Sequence, residues 1–125
     1  MTTIVPRAPL ERPGHGTVLR TLVGTIAAPP GAVFDAVLQR VRPTQPEGGN
    51  LSTDPITRLI VVQGGWWYRG EYRVTADPDG SRLELTLVNV AQPAHWAGPL
   101  TGRAVLRGTP AAFERLVAEI GRDLA

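Results

Sequence analysis

A chain of 125 residues is the size of one domain, and folding at that length hides roughly two-thirds of the extended chain's surface, enough for a core without metal or disulfide support. It has no cysteine, which excludes thiol chemistry and cysteine-ligated zinc and leaves the redox compartment open. Every basic residue is an arginine, spread along a chain of formal charge +2; with no basic face or stripe, the composition does not make a nucleic-acid footprint.

Residues 1–16 hold prolines, glycines and few large apolar groups, and read as an arm with little structure of its own. They contain no apolar leader core, and the chain has no run of about 18 apolar residues, so neither secretion nor membrane spanning is expected. A soluble, cytoplasmic domain over 17–125 is the expectation. Residues 17–27 are rich in Thr, Val, Leu and Ile and have strand length, and "APP" stops the strand. Pro30 suits a first helical turn, and Val33, Phe34, Val37, Leu38 and Val41 then recur at helical spacing until Pro43. After the loop "PTQPEGGN" come a short strand, an Asp-Pro turn and a second strand over about 57–63.

Gly64 and Gly65 have the chemistry of a two-residue hairpin turn leading into "WWYRGEYRVTA". A further turn at "DPDG" leads into "SRLELTLVNVA", which alternates at period two. Closing this second hairpin at Ala76 and Ser81 sets Val74, Tyr72, Gly70 and Tyr68 opposite Leu83, Leu85, Leu87 and Asn89. A one-residue slip would mix the apolar and charged faces. The Gly-Gly turn places Arg58 opposite Glu71 on the outer face. The inner face then carries Leu59, Val61, Gln63, Trp66, Tyr68, Tyr72, Val74, the three leucines and Asn89. Its cover is a C-terminal helix with Thr109 as N-cap, Pro110 in the first turn and a stripe of Phe113, Leu116, Val117, Ile120 and Leu124. Residues 91–108 read as a turn and a short helix over the end of the sheet. The fold class is α+β, with five to six antiparallel strands.

"LVGTIAAPPGAVFDAVLQ", over Gly24 to Leu38 above all, resembles the opening of the START-like or Bet v 1-like superfamily (SRPBCC), which includes polyketide cyclase and dehydrase-like proteins. "GGWWYRGEYRV" and "DGSRLELTLVNVA" look like its central strands. The resemblance implies a helix-grip fold, in which a curved antiparallel sheet wraps the C-terminal helix and leaves a cavity between them. The chain departs from the family in showing about five strands, where six or seven are usual, and a shorter final helix.

Trp66, Tyr68 and Tyr72 share the inner face, where they either fill the core or wall a pocket. Gly70 marks a bend or a close approach. Asn89 follows three inward leucines and needs a partner, which is Tyr68, loop backbone or a ligand. His95, in "AHW", is either structural or a proton donor at a cavity mouth. Trp67 points to the opposite face with Ile60, Val62, Val88 and Val90, as a homodimer surface or beneath the arm. His15 is expected in solvent. No nucleophile elbow, P-loop, HExxH or dinucleotide fingerprint occurs, and no metal or cofactor is expected. Two functions remain: binding of a small apolar or aromatic molecule between sheet and C-terminal helix, with cyclase or dehydratase-like acid-base chemistry as a variant, or an interaction module with a filled core that associates through Trp67.

Overall fold

The computed structural model describes residues 8–42, 51–64, 67–91 and 95–125, apart from the side chain of Thr101. The protein is α+β. Strand β1 (Thr17–Ile26) leads to helix α1 (Pro30–Val41). Four strands follow, β2 (Leu51–Asp54), β3 (Leu59–Gly64), β4 (Tyr68–Asp77) and β5 (Gly80–Asn89), and then a short 3₁₀ turn (His95–Ala97), α2 (Gly98–Thr101) and α3 (Arg103–Asp123). The five strands form one open antiparallel sheet in the order β1-β5-β4-β3-β2. No described helix is long and apolar enough to cross a membrane.

Both long helices lie on the inner face of the sheet, α1 against β4 and β5 and α3 against β1. Val33, Phe34 and Val37 of α1 and Phe113 and Ile120 of α3 meet Ile60, Val62, Val74, Leu83, Leu85 and Leu87 in one core. Gly24 sets how closely α3 can approach: a Cβ there would lie 2.7 Å from Val117 Cγ2. Arg40 ties the two helices together, bonding Glu119 at 2.8 Å and also Asp123.

The hairpin of β4 and β5 has the register expected from its alternation, with Tyr72 opposite Leu85 and Tyr68 opposite Asn89. The hairpin before it does not. Gly64 pairs with Tyr68 and Val61 with Glu71, so three residues rather than two separate the paired ends. The odd shift reverses the faces of β3. Ile60 and Val62 enter the core, while Leu59 and Val61 turn outward and are buried against Ala8. Arg58 is therefore not opposite Glu71. "LIVV" is apolar at every position because both of its sides are covered, as in strands buried on two faces, and such a run gives alternation nothing to choose between.

The cover on the outer face is the arm. Residues 8–16 are ordered along the sheet, and they are held by Arg69, whose side chain has no solvent exposure. Its guanidinium donates to the carbonyls of Pro9 (2.7 Å) and Leu10 (3.1 Å), to Gln63 Oε1 (3.3 Å) and to Glu71 Oε2 (2.7 Å). Arg12 then grips Glu71 with two bonds of 3.2 and 2.7 Å. Ser52 bonds the carbonyl of Ala8, and His15 Nε2 lies 3.0 Å from the carbonyl of Val90. Residues 8–16 of the arm are thus held to the sheet, residues 1–7 lie outside the described residues, and His15 is anchored at one ring nitrogen.

α3 begins seven residues before the expected Pro110 start and has 21 residues. Proline inside a helix removes one N–H and leaves the carbonyl four residues earlier without its donor. Here that carbonyl belongs to Leu106, and Arg20 NH1 of β1 donates to it at 3.1 Å. Thr109 does not cap; its hydroxyl bonds the carbonyl of Val105 at 2.6 Å. The final helix is therefore not short, and 95–108 contains helical turns and no strand.

Candidate functional site

A cleft of about 260 Å³ opens between the sheet and the two long helices, lined by Tyr68, Tyr72 and Leu85 from the strands, Arg40 and Val41 from α1, and Thr109, Ala112, Phe113 and Leu116 from α3. Its position follows from the packing. α3 is drawn onto β1 at Gly24 and α1 onto β4 and β5, so the two helices diverge above the middle of the sheet, where Tyr68 and Tyr72 stand.

The two phenols are the chain's only tyrosines, and both are half-buried against the core. Tyr68 lies down along β4. A Cβ on Gly70 would come within 2.9 Å of its hydroxyl oxygen, so glycine at 70 is what lets the ring lean toward Tyr72, the next inward residue but one. Trp67 stacks edge-on against the Tyr68 ring, with centroids 5.5 Å apart and planes at 90°. Burial raises the pKa of Tyr68. Burial, and then the nearness of Tyr68, raises that of Tyr72 further. Both are therefore neutral O–H groups at ordinary pH, able to donate and accept but not to act as phenolate bases. Neither hydroxyl bonds a described residue, and no fully buried polar side-chain atom among those residues lacks a partner. Both side chains line the cleft, and their hydroxyl oxygens keep some access to solvent.

Asn89 and His95 stand apart from it. The Asn89 amide donates to the carbonyl of His95 at 2.7 Å and accepts the N–H of Ala91 at 3.0 Å, so its partner is loop backbone. His95 Nδ1 lies 3.0 Å from the carbonyl of Ala91 and Nε2 lies 2.8 Å from Thr17 Oγ1. A carbonyl only accepts, so Nδ1 carries hydrogen, and in the neutral ring the Thr17 hydroxyl donates to Nε2. The two residues close a polar clasp that fastens the segment after β5 to the start of β1. Trp66 lies outside the described residues. Trp67 is 8% exposed and packs on Gly102 at the head of α3, where a Cβ would overlap the indole. It is interior, which corrects its placement on an associating surface.

Arg40, Thr109, Ala112 and Leu116 are not among the site residues expected from the sequence, which gives Thr109 as a cap and Leu116 as part of the helix stripe. Arg40 and Leu116 come together only through the contact between α1 and α3. Thr109 and Ala112 line the cleft because the helix runs through Pro110. Glu71 is outside the cleft, on the opposite face. Burial opposes its ionisation, but hydrogen bonds from Arg12 and Arg69 outweigh that, and its carboxyl is held below the usual range. No cluster of metal-ligating side chains occurs among the described residues. The chain matches no protein-family model, no curated protein and no solved structure.

Proposed function

We propose that the protein binds one small apolar or aromatic molecule in the cleft between sheet and α3, with Tyr68 and Tyr72 as its polar handles, and that it is a short START-like domain. The observation that carries the reading is the pair of neutral phenols that line a 260 Å³ space together with Leu85, Phe113 and Leu116. Pre-formed space lined by apolar groups with a few convergent polar ones is the usual make-up of a small-molecule site. A dry apolar cavity of about 150 Å³ takes benzene, so this cleft suits one or two rings. The layout supports the family reading: a first strand running into a proline-started helix, a five-stranded antiparallel sheet, and a long C-terminal helix across it. Among the described lining residues there is no carboxylate and no imidazole. Proton abstraction finds no base among them, and holding a ligand that carries a hydrogen-bond acceptor is the better fit.

The test is calorimetric titration of the whole protein with 1-naphthol and with naphthalene. Both are expected to bind. Tyr72→Phe and Tyr68→Phe should each weaken 1-naphthol by about two- to tenfold, the worth of one net hydrogen bond, and leave naphthalene unchanged. The reading fails if neither compound binds, or if the phenylalanine variants bind 1-naphthol as tightly as the parent.

A further inference from the structure

A second feature, on the far side of α3 from the cleft and independent of it, concerns the edges of the sheet. The β2 edge is protected: the strand has four residues and ends in Asp54. The β1 edge is ten residues long, and from Thr21 to Ile26 it has no charge, no proline and no bulge; its one register irregularity lies earlier, between Val18 and Arg20. Open edges of this kind are ones that monomeric proteins ordinarily blunt.

Hydrogen-bond parity shows which groups are free. Val74 N–H donates to the carbonyl of Arg58, so even-numbered residues of β4 bond toward β3 and odd-numbered ones toward β5. The register of β4 with β5 and of β5 with β1 carries the alternation across, turning Leu22, Gly24 and Ile26 toward β5. The main-chain N–H and C=O groups of Thr21, Val23 and Thr25 then point out of the sheet, and all three residues are exposed.

We propose that β1 is the pairing edge of a homodimer, joined antiparallel to β1 of a second copy about a two-fold axis at Val23. The sequence is self-complementary in that register. Val23 meets itself, and Thr21 meets Thr25 of the second copy, β-branched pairs of the kind that stabilise cross-strand neighbours. No like charges are opposed along the paired strands. On the inner face, Leu22 of each copy falls beside Gly24 of the other. There, a groove of about 190 Å³ lined by Val23, Gly24, Phe113, Val117, Ala118 and Glu114 runs along the edge, open to the second copy. α3 runs alongside β1 in the same direction, since Arg20 meets Leu106 and Gly24 meets Val117. Ala118 on its edge-side flank leaves room for the second α3. A second copy satisfies these features reciprocally, as an isologous contact requires.

The experiment is sedimentation velocity on the full chain over a wide concentration range, together with amide hydrogen exchange. The parent should approach twice its 13.4 kDa chain mass. Val23→Lys, which sets two ammonium groups across the axis, should raise the dissociation constant at least about tenfold. Val18→Lys, at a similarly exposed position before the irregularity, should leave it unchanged. In the parent, the amides of Thr21, Val23 and Thr25 should exchange more slowly as concentration rises, a readout that survives even if the lysine variant folds poorly. A mass of one chain throughout, a dimer indifferent to Val23→Lys, or exchange at those amides independent of concentration would overturn the proposal.

Discussion

Asn89→Ala tests the clasp between β5 and the segment that follows it. The substitution removes an acceptor 3.0 Å from the Ala91 N–H and a donor 2.7 Å from the His95 carbonyl. Ala91 is fully buried, so water cannot replace the lost acceptor, and an orphaned buried donor costs about 1–3 kcal/mol. His95 is only partly buried, so its carbonyl recovers water and adds about 0.5–1 kcal/mol. Urea denaturation should therefore show a loss of about 1.5–4 kcal/mol as a lower midpoint at unchanged slope. Asn89→Asp keeps an acceptor for Ala91 but cannot donate to His95, and it should also be less stable than the parent. In neither variant should 1-naphthol affinity of the folded protein change beyond about twofold, well under the tenfold that 1.4 kcal/mol represents. A cost below about 1 kcal/mol for Asn89→Ala would refute the reasoning, because it would mean that the buried amide had found another partner.

Arg69→Met should destabilise the fold by about 3 kcal/mol, since removing one member of a buried ionic group leaves the others uncompensated; limited proteolysis should cut the arm near Leu10 in this variant well before it cuts the parent. Glu71 has a folded pKa below its ordinary value of 4.5. The stability it contributes is complete above the ordinary carboxyl range and is lost as pH falls through the folded value. Glu71→Gln should therefore narrow the gap between urea midpoints measured at about pH 7 and about pH 3, and an unchanged gap would show that the arginine contacts do not govern that carboxyl.

The sequence is most legible where two signals coincide. "DPDG" and the strict alternation of "SRLELTLVNV" agree on one register, and the β4–β5 pairing follows it. Alternation cannot orient β3, because all four residues of "LIVV" are apolar. Of the two covers the sequence leaves open for the outer side, a second copy or the arm, it is the arm that supplies one, through Ala8. Pro110 misled for a related reason: a proline preceded by threonine has the signature of a helix start, and only a guanidinium arriving from β1, 86 positions distant, makes it acceptable in the interior. Tyr68 and Tyr72 were placed on the inner wall by alternation alone. Their companions Arg40 and Leu116 depend on how two helices meet, which no local pattern encodes. Gly70 was read as a bend or a close approach, and the second applies, through the ring of Tyr68.

The deeply sequestered guanidinium of Arg69 bears on where the smallest folding unit begins. A fragment cut at Thr17, where regular secondary structure starts, would retain the cation while discarding Pro9 and Leu10, two of its acceptors, together with Arg12, the outer clamp on its counterion. Such a shortened polypeptide must either flood that pocket with solvent or give up the outer layer over Leu59 and Val61. The autonomous unit is longer than its strands and helices, and a stretch without repetitive structure is as integral to it as any of them.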